Sequence, residues 1–333
     1  MLSYIANRII RMVPQLFLIS VLAFIIIQLP PGDYLTQYVQ NLEASGVDIN
    51  EETVARLKAT YGLDMPVYQQ YLKWIGNIIT KFDFGYSFSW SRKVADVIGP
   101  RIGMTFFIAM LAHLVTWLVA IPVGIYIAVK QYSVADYLFT LIGFIGIATP
   151  GFLLALVLMY LAVTRLGVQV GGLFSPEYMI KPLSWGKFVN LLEHIWLPAV
   201  IVGLGGTGYT IRTLRATMLD ELRKPYVMVA RSKGLSELQV LMKYPIRIAI
   251  NPIISTIGWL LVWFFSGGTL VEIVLNLDTA GPVLWRSLLG QDMYVAGAYI
   301  LIIGALTAIG SLISDILLAV VDPRVRFGSV EGS

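Results

Sequence analysis

The sequence predicts an all-α integral membrane protein with six transmembrane helices, and three observations carry that expectation. Hydrophobic residues make up 57% of the 333 residues and charged residues only 13%. Mean hydropathy is +0.76, too apolar for a domain that meets water on every side. The apolar residues fall into runs of the length a bilayer demands, ~20 residues per helix, while Lys and Arg gather between and beyond those runs.

The runs lie at about 9–29, 103–129, 137–164, 195–213, 250–275 and 295–321. The first follows Arg8 and Arg11, as a signal peptide would. It is long, however, and Leu29-Pro30-Pro31-Gly32 lacks a small-x-small cleavage pattern, so a retained anchor is expected. Between the first two runs, 30–102 is predicted to lie outside the membrane. Glu51–Thr60 has helix-forming composition, Tyr61-Gly62-Leu63-Asp64-Met65-Pro66 is a turn-rich stop, and Val67–Lys81 resumes an aromatic and apolar helical pattern. Its aromatics, among them Tyr68, Trp74, Tyr86 and Trp90, suit either the outer mouth of a pore or the headgroup level. The fourth run is short and glycine-rich. Pro122, Pro150 and Pro198 predict kinks in three of the spans.

An even number of spans puts both termini on one side. Residues 214–249 carry Arg215, Arg223, Lys224, Arg231, Lys233, Lys243 and Arg247 against Asp220, Glu221 and Glu237. With Arg8, Arg11, Arg324 and Arg326, these mark the cytoplasmic side and predict N-in and C-in.

Several function classes are excluded. There is no cysteine, hence no thiolate chemistry and no Cys-ligated metal. His113 and His194 stand far apart without a second ligand at helical spacing, so neither metal nor cofactor is expected. The net charge of +4 comes without a block of like charge that would suit nucleic acid. No phosphate-cradling Gly-x-x-x-x-Gly-Lys-Ser/Thr loop occurs, and Gly186-Lys187 is followed by Phe188. Any ATP must therefore be hydrolysed by a partner, and the chain itself is not expected to be an enzyme. Gly203-Leu204-Gly205-Gly206-Thr207-Gly208 spells the dinucleotide fingerprint, yet it lies in an apolar run after Leu197-Pro198-Ala199. Small residues there let helices approach closely or loosen a helix that lines a pathway. Of the ionisable residues at depth, His113 suits a hydrogen bond to a neighbouring helix. Glu272 suits either a pathway rim, meeting a cationic solute group, or an ordinary interfacial carboxylate, and Asp315 suits a pair with Arg324 or an inner-end basic residue.

One polar interruption stands out. Leu214–Lys233 reads as one helix broken near Pro225, Gly234 is the residue type that ends a helix in the left-handed conformation, and Ser236 with Gln239 has capping-box spacing. A compact, basic helix–glycine–helix at a membrane surface suits the docking of another protein.

The run Val229-Ala230-Arg231-Ser232-Lys233-Gly234-Leu235-Ser236 resembles the EAA loop of ATP-binding-cassette importer permeases, specifically the dipeptide/oligopeptide branch. Leu29-Pro30-Pro31-Gly32-Asp33, Tyr71-Leu72-Lys73-Trp74, Phe84-Gly85-Tyr86-Ser87-Phe88, Arg212, Arg215, Met218-Leu219 and Asp322-Pro323-Arg324 are similar to the same family, so the resemblance covers residues 1–328. Three places depart from it: Met228-Val229-Ala230 replaces Glu-Ala-Ala, Tyr244-Pro245 stands for His-Ala, and Asn276–Pro282 replaces a Trp-Pro-Gly-x-Gly run.

The resemblance implies the type I importer permease architecture with an external helical loop between helices 1 and 2. It divides the chain into 1–102 (first helix and external loop), 103–328 (five-helix core with cytoplasmic docking loop 214–249) and a tail at 329–333. It also implies a prokaryotic inner-membrane location in the lipid bilayer, two ATP-binding subunits, a second homologous permease and an extracytoplasmic solute-binding protein. Import of di- or oligopeptides by alternating access follows, with oligosaccharides or chelated nickel as the alternatives. Val229–Ser236 would dock the ATPase: Gly234 supplies the turn, Ala230 and Leu235 the apolar fit, Arg231 and Lys233 the polar rim. Glu272, Gly205, Gly206 and Pro150 are the candidate pathway or gate residues. A stand-alone secondary transporter is the reading from another class, but no internal repeat is evident. An intramembrane enzyme would need a catalytic dyad or metal cluster that the spans lack.

Overall fold

A computed structural model describes residues 2–29, 64–87, 89–167, 171–256 and 268–321. The expected helix at Glu51–Thr60, the turn at Leu29–Asp33 beyond its first residue, residues 257–267 of the fifth run and Arg324 lie outside the described residues. In chain order the helices begin with α1 (Leu2–Gln28), α2 (Val67–Lys81), α3 (Val94–Val129), α4 (Val134–Ala148) and α5 (Gly151–Leu166). They continue with α6 (Pro176–Met179), α7 (Trp185–Leu222), α8 (Pro225–Ser232), α9 (Glu237–Lys243) and α10 (Pro245–Ala249). The last four are α11 (Asn251–Ser255), α12 (Thr269–Val274), α13 (Ala280–Leu289) and α14 (Met293–Val321). A two-residue hairpin, β1 (Tyr86–Ser87) with β2 (Arg92–Lys93), pairs Tyr86 with Lys93.

Among the described residues, α1, α3, α7 and α14 each carry a stretch long and apolar enough to cross a membrane, and the bent pair α4–α5 amounts to a fifth. Two predicted spans differ in form. The third is not continuous: α4 ends at Ala148, Pro150 caps α5, and the two helices meet at 106°. Proline cannot supply the N–H that would continue the ladder, and it drives the residue before it out of helical geometry; Thr149 is extended, with φ −87° and ψ 123°. The fourth is not short. It is the middle of the 38-residue α7, which runs on through Pro198, while α3 runs on through Pro122.

The chain forms two compact units, Met1–Arg8 with Thr105–Asp278 and Ile309–Ser333, and Ile9–Met104 with Thr279–Ala308. In the second, Ala23, Phe24 and Ile27 of α1 pack with Trp74 and Ile78 of α2 and with Met293, Ala296 and Leu301 of α14. The predicted helix over 67–81 turns Trp74 and Ile78 inward, one helical turn apart. Phe24 meets Tyr71 edge-on at 5.5 Å, and Ser20 Oγ shares a 2.8 Å hydrogen bond with the Tyr71 hydroxyl. Ser87 donates to the fully buried Asp292 carboxylate, tying the hairpin to the entrance of α14.

In the first unit, the fingerprint-like glycines of α7 serve as contact surface. A Cβ on Gly203 would stand 2.9 Å from the Ala112 carbonyl oxygen of α3, and one on Gly208 would stand 2.3 Å from that of Gly143 in α4. Thr116 Oγ1 donates to the Gly203 carbonyl at 2.9 Å, sealing the α3 contact. Backbones approach this closely only where side chains are missing, the usual device where lipid gives no hydrophobic drive to helix association. Asp315 pairs with Arg8 at 3.1 Å, and the His113 ring meets that of Trp117 at a 60° tilt, centroids 5.3 Å apart.

Candidate functional site

The polar interruption folds into a helical hairpin of its own, within the first unit. Pro225 occupies the first helical position of α8, where its fixed φ and missing N–H cost nothing, and Lys224 before it is extended. Gly234 has φ +77°, and its N–H donates to the Arg231 carbonyl at 2.9 Å. Ser236 and Gln239 form a complete capping box, Gln239 N–H to Ser236 Oγ at 3.4 Å and Ser236 N–H to Gln239 Oε1 at 3.2 Å. Tyr244 (φ −120°, ψ −81°) then leads into Pro245 and α10.

The hairpin has a miniature core of Val227, Ala230 and Val240, with Tyr226, Leu235 and Tyr244 packed around it. Arg231 grips Glu237 with two hydrogen bonds, Nε–Oε2 at 3.1 Å and Nη2–Oε1 at 2.5 Å. That grip holds the Glu237 carboxyl below the usual carboxylate range. Tyr226 donates to the Glu221 carboxylate; burial, then that bond and the negative charge, push its phenol up.

These contacts bear on two residues of the expected docking surface. Ala230 is buried in the hairpin's own core, packed with Val227 and Val240, and presents almost no surface outward. Arg231 is engaged across the turn by Glu237. The apolar side chains that do face outward are Met228, Val229, Leu238 and Met242, each more than half exposed. Leu238 and Met242, four apart on α9, share a face, and that spacing was the available signal. Ser232, Lys233, Gly234 and Ser236 are exposed as well, and Leu235 is half-buried.

A second feature of the same unit is a cavity of about 770 Å³. One face of α7 forms a wall, with Ile201, Gly205, Tyr209, Arg212 and Ala216 at three- and four-residue spacing. The α4–α5 break at Pro150-Gly151 and the start of α12 at Gly268 and Val271 supply the rest. Gly205 and Pro150 thus line one cavity. Gly206 lies near Thr116, 3.6 Å from the position of its absent Cβ. Glu272 is buried at 5% exposure and is not among the residues lining this cavity; with Val271 facing the cavity, the next residue of a helix points about 100° away. Among the described residues, no three His, Asp or Glu side chains gather closely enough to hold a metal ion.

Two family descriptions together match nearly the whole chain. "Binding-protein-dependent transport system inner membrane component" covers residues 120–327, and the N-terminal description of the same kind of protein covers residues 1–109. The oligopeptide transport system permease protein AppB of Bacillus subtilis is 32% identical, over 98% of this chain and 100% of its own. A putative peptide permease protein of Brucella ovis is 30% identical over 98% of this chain and 99% of its own. The peptidoglycan transport system permease protein YejB of Agrobacterium fabrum is 27% identical over 98% of both.

Proposed function

Because this chain belongs to the family of binding-protein-dependent transport system inner membrane components, we propose that it is the membrane-spanning subunit of an ATP-driven importer of di- and oligopeptides. An extracytoplasmic solute-binding protein delivers the peptide, two ATP-binding subunits drive the cycle, and a second homologous permease completes the pathway. The chain has six spans, both termini in the cytoplasm, and alternating access as its mechanism. The relatives named for peptide and oligopeptide transport support the solute class.

The observation that carries the reading is the hairpin of α8 and α9. Its core is internally satisfied and its turn is locked by Gly234 and the capping box. It still leaves Met228, Val229, Leu238 and Met242 exposed beside Lys233. A rigid element of this kind transmits a push, because it moves as one body. ATP-driven closure of the two ATPase subunits shifts it, and the five-residue α10 joins it to the α7 contact through the core of Leu214, Met218, Leu241, Ala249 and Ile253.

The test is ATPase stimulation of the co-purified complex in lipid vesicles with its own binding protein, comparing peptides with oligosaccharides. Stimulation by peptides is expected. If no ATPase subunit travels with the chain and neither solute stimulates hydrolysis, a stand-alone transporter takes its place. A second reading has one observation in its favour: the likeness to a permease named for peptidoglycan transport suits a solute that carries sugar, and stimulation by oligosaccharides alone would select it.

A further inference from the structure

Two arginines of α7 stand three residues apart, and they are treated differently. Arg215 is neutralised by the buried Asp136, with Nε–Oδ1 and Nη2–Oδ2 both at 2.7 Å. Arg212 makes neither ion pair nor hydrogen bond with any described residue; its recorded contact is with the Phe144 ring, 5.8 Å from the centroid. Arg212 lines the cavity of about 770 Å³, and no Asp, Glu or Lys joins it there among the described residues. The other polar side chains of the lining are hydroxyls, those of Thr149, Tyr209, Thr213 and Thr217. Of these, Thr149 and Thr217 already donate to backbone carbonyls at 2.7 and 3.0 Å.

We propose that Arg212 is the anion contact of the translocation pathway, receiving the carboxylate of the transported solute. With no counter-ion among the described residues, this guanidinium is compensated by an anionic group and not by a neutral sugar hydroxyl, which can only accept its hydrogen bonds. Its planar fork fits a carboxylate with two hydrogen bonds. The Phe144 ring holds the guanidinium from one side by cation–π attraction, leaving its edge donors for the solute. Gly205 and Tyr209 continue the same helix face above it, so the carboxylate end is held beside Arg212 while the rest of the solute lies along α7. From Ile201 to Ala216 that face runs ~22 Å at 1.5 Å per residue, room for a short peptide in extended form. The Asp136 bond serves the contact indirectly by keeping Arg215 from competing for the same anion.

This rests on the peptide-import reading, and the experiment separates the two. The whole importer is reconstituted in vesicles with its binding protein. Uptake of a short peptide with a free C-terminus is compared with uptake of its C-terminal amide, at matched occupancy of the binding protein. Wild type is expected to favour the free carboxylate, Arg212→Gln to lose that preference by about tenfold, and Arg212→Lys to retain part of it. If wild type transports peptides but Arg212→Gln slows both forms equally, the carboxylate contact is wrong and peptide import stands. An equal loss that tracks the anionic lipid content of the vesicle would instead assign Arg212 to headgroup phosphates, and it too overturns the proposal. Transport of oligosaccharides in place of peptides overturns both readings.

Discussion

Asp136 and Arg215 lie 79 residues apart in the chain and form a two-pronged ion pair, each bond 2.7 Å, between the first turn of α4 and the C-terminal half of α7. The carboxylate also accepts the Tyr132 N–H at 2.9 Å and is 3% exposed, against 27% for the arginine. Removing one partner strands the other charge. Asp136→Ala is expected to cost about 3–5 kcal/mol of stability, whereas Asp136→Ala with Arg215→Met recovers most of it. Thermal unfolding of the purified complex checks both variants.

Gly234 separates conformational from steric cost. Its φ is +77°, yet nothing lies within 4 Å of a Cβ placed there. Gly234→Asn, which tolerates the left-handed region, is expected to keep most transport, and Gly234→Val to lose it while the chain still inserts. Uptake together with a membrane-fraction immunoblot reads the difference. Normal uptake by the valine variant counts against the hairpin as the coupling element.

Gly208 presents the opposite case. A Cβ there would sit 2.3 Å from the Gly143 carbonyl oxygen, backbone that cannot rotate away. Gly208→Ala is expected to lower stability by about 1–3 kcal/mol through overpacking, and Gly205→Ala, which faces the cavity, to be nearly neutral. A melting comparison of the two variants decides it.

The outward face of α9 is expected to hold the ATPase partner. Leu238 is 70% exposed and Met242 58%, so replacing both by Glu leaves the hairpin core untouched. Insertion is expected to be unchanged while co-purification with ATP-binding subunits is lost. Undiminished co-purification would move the contact elsewhere.

The Arg231–Glu237 bridge sets a pH limit on the hairpin. Its folded carboxyl titrates below the unfolded value of ~4.3, because Arg231 hydrogen-bonds the charged form. The bridge therefore contributes fully above that unfolded value, and its contribution disappears as pH falls through the lower folded one. Amide exchange across 225–243 is expected to be insensitive to pH-linked loosening near neutrality and to show it only in acid. Glu237→Gln is expected to abolish that acid step.

What could be read from residue order was local. Val67–Lys81 has the helical bounds expected of it. Gly234 is left-handed and Ser236–Gln239 closes its capping box. Such features depend on sterics and hydrogen bonds within a few residues, and so they are written in neighbouring letters. Pro150 announced a kink, but not its angle of 106°, which a missing N–H and the extended residue before it leave open. The same limit hid the outward face of the hairpin: Ala230 and Arg231 are adjacent to exposed residues in sequence, and only the packing of α8 against α9 turns the first into core and the second toward Glu237. The contrast between Arg212 and Arg215 lies furthest from the primary structure. Both are arginines on one helix, and a carboxylate brought from 79 residues away neutralises one of them. Folding of α4 against α7 makes that choice, because charge compensation in a low-dielectric interior is set by distance in space.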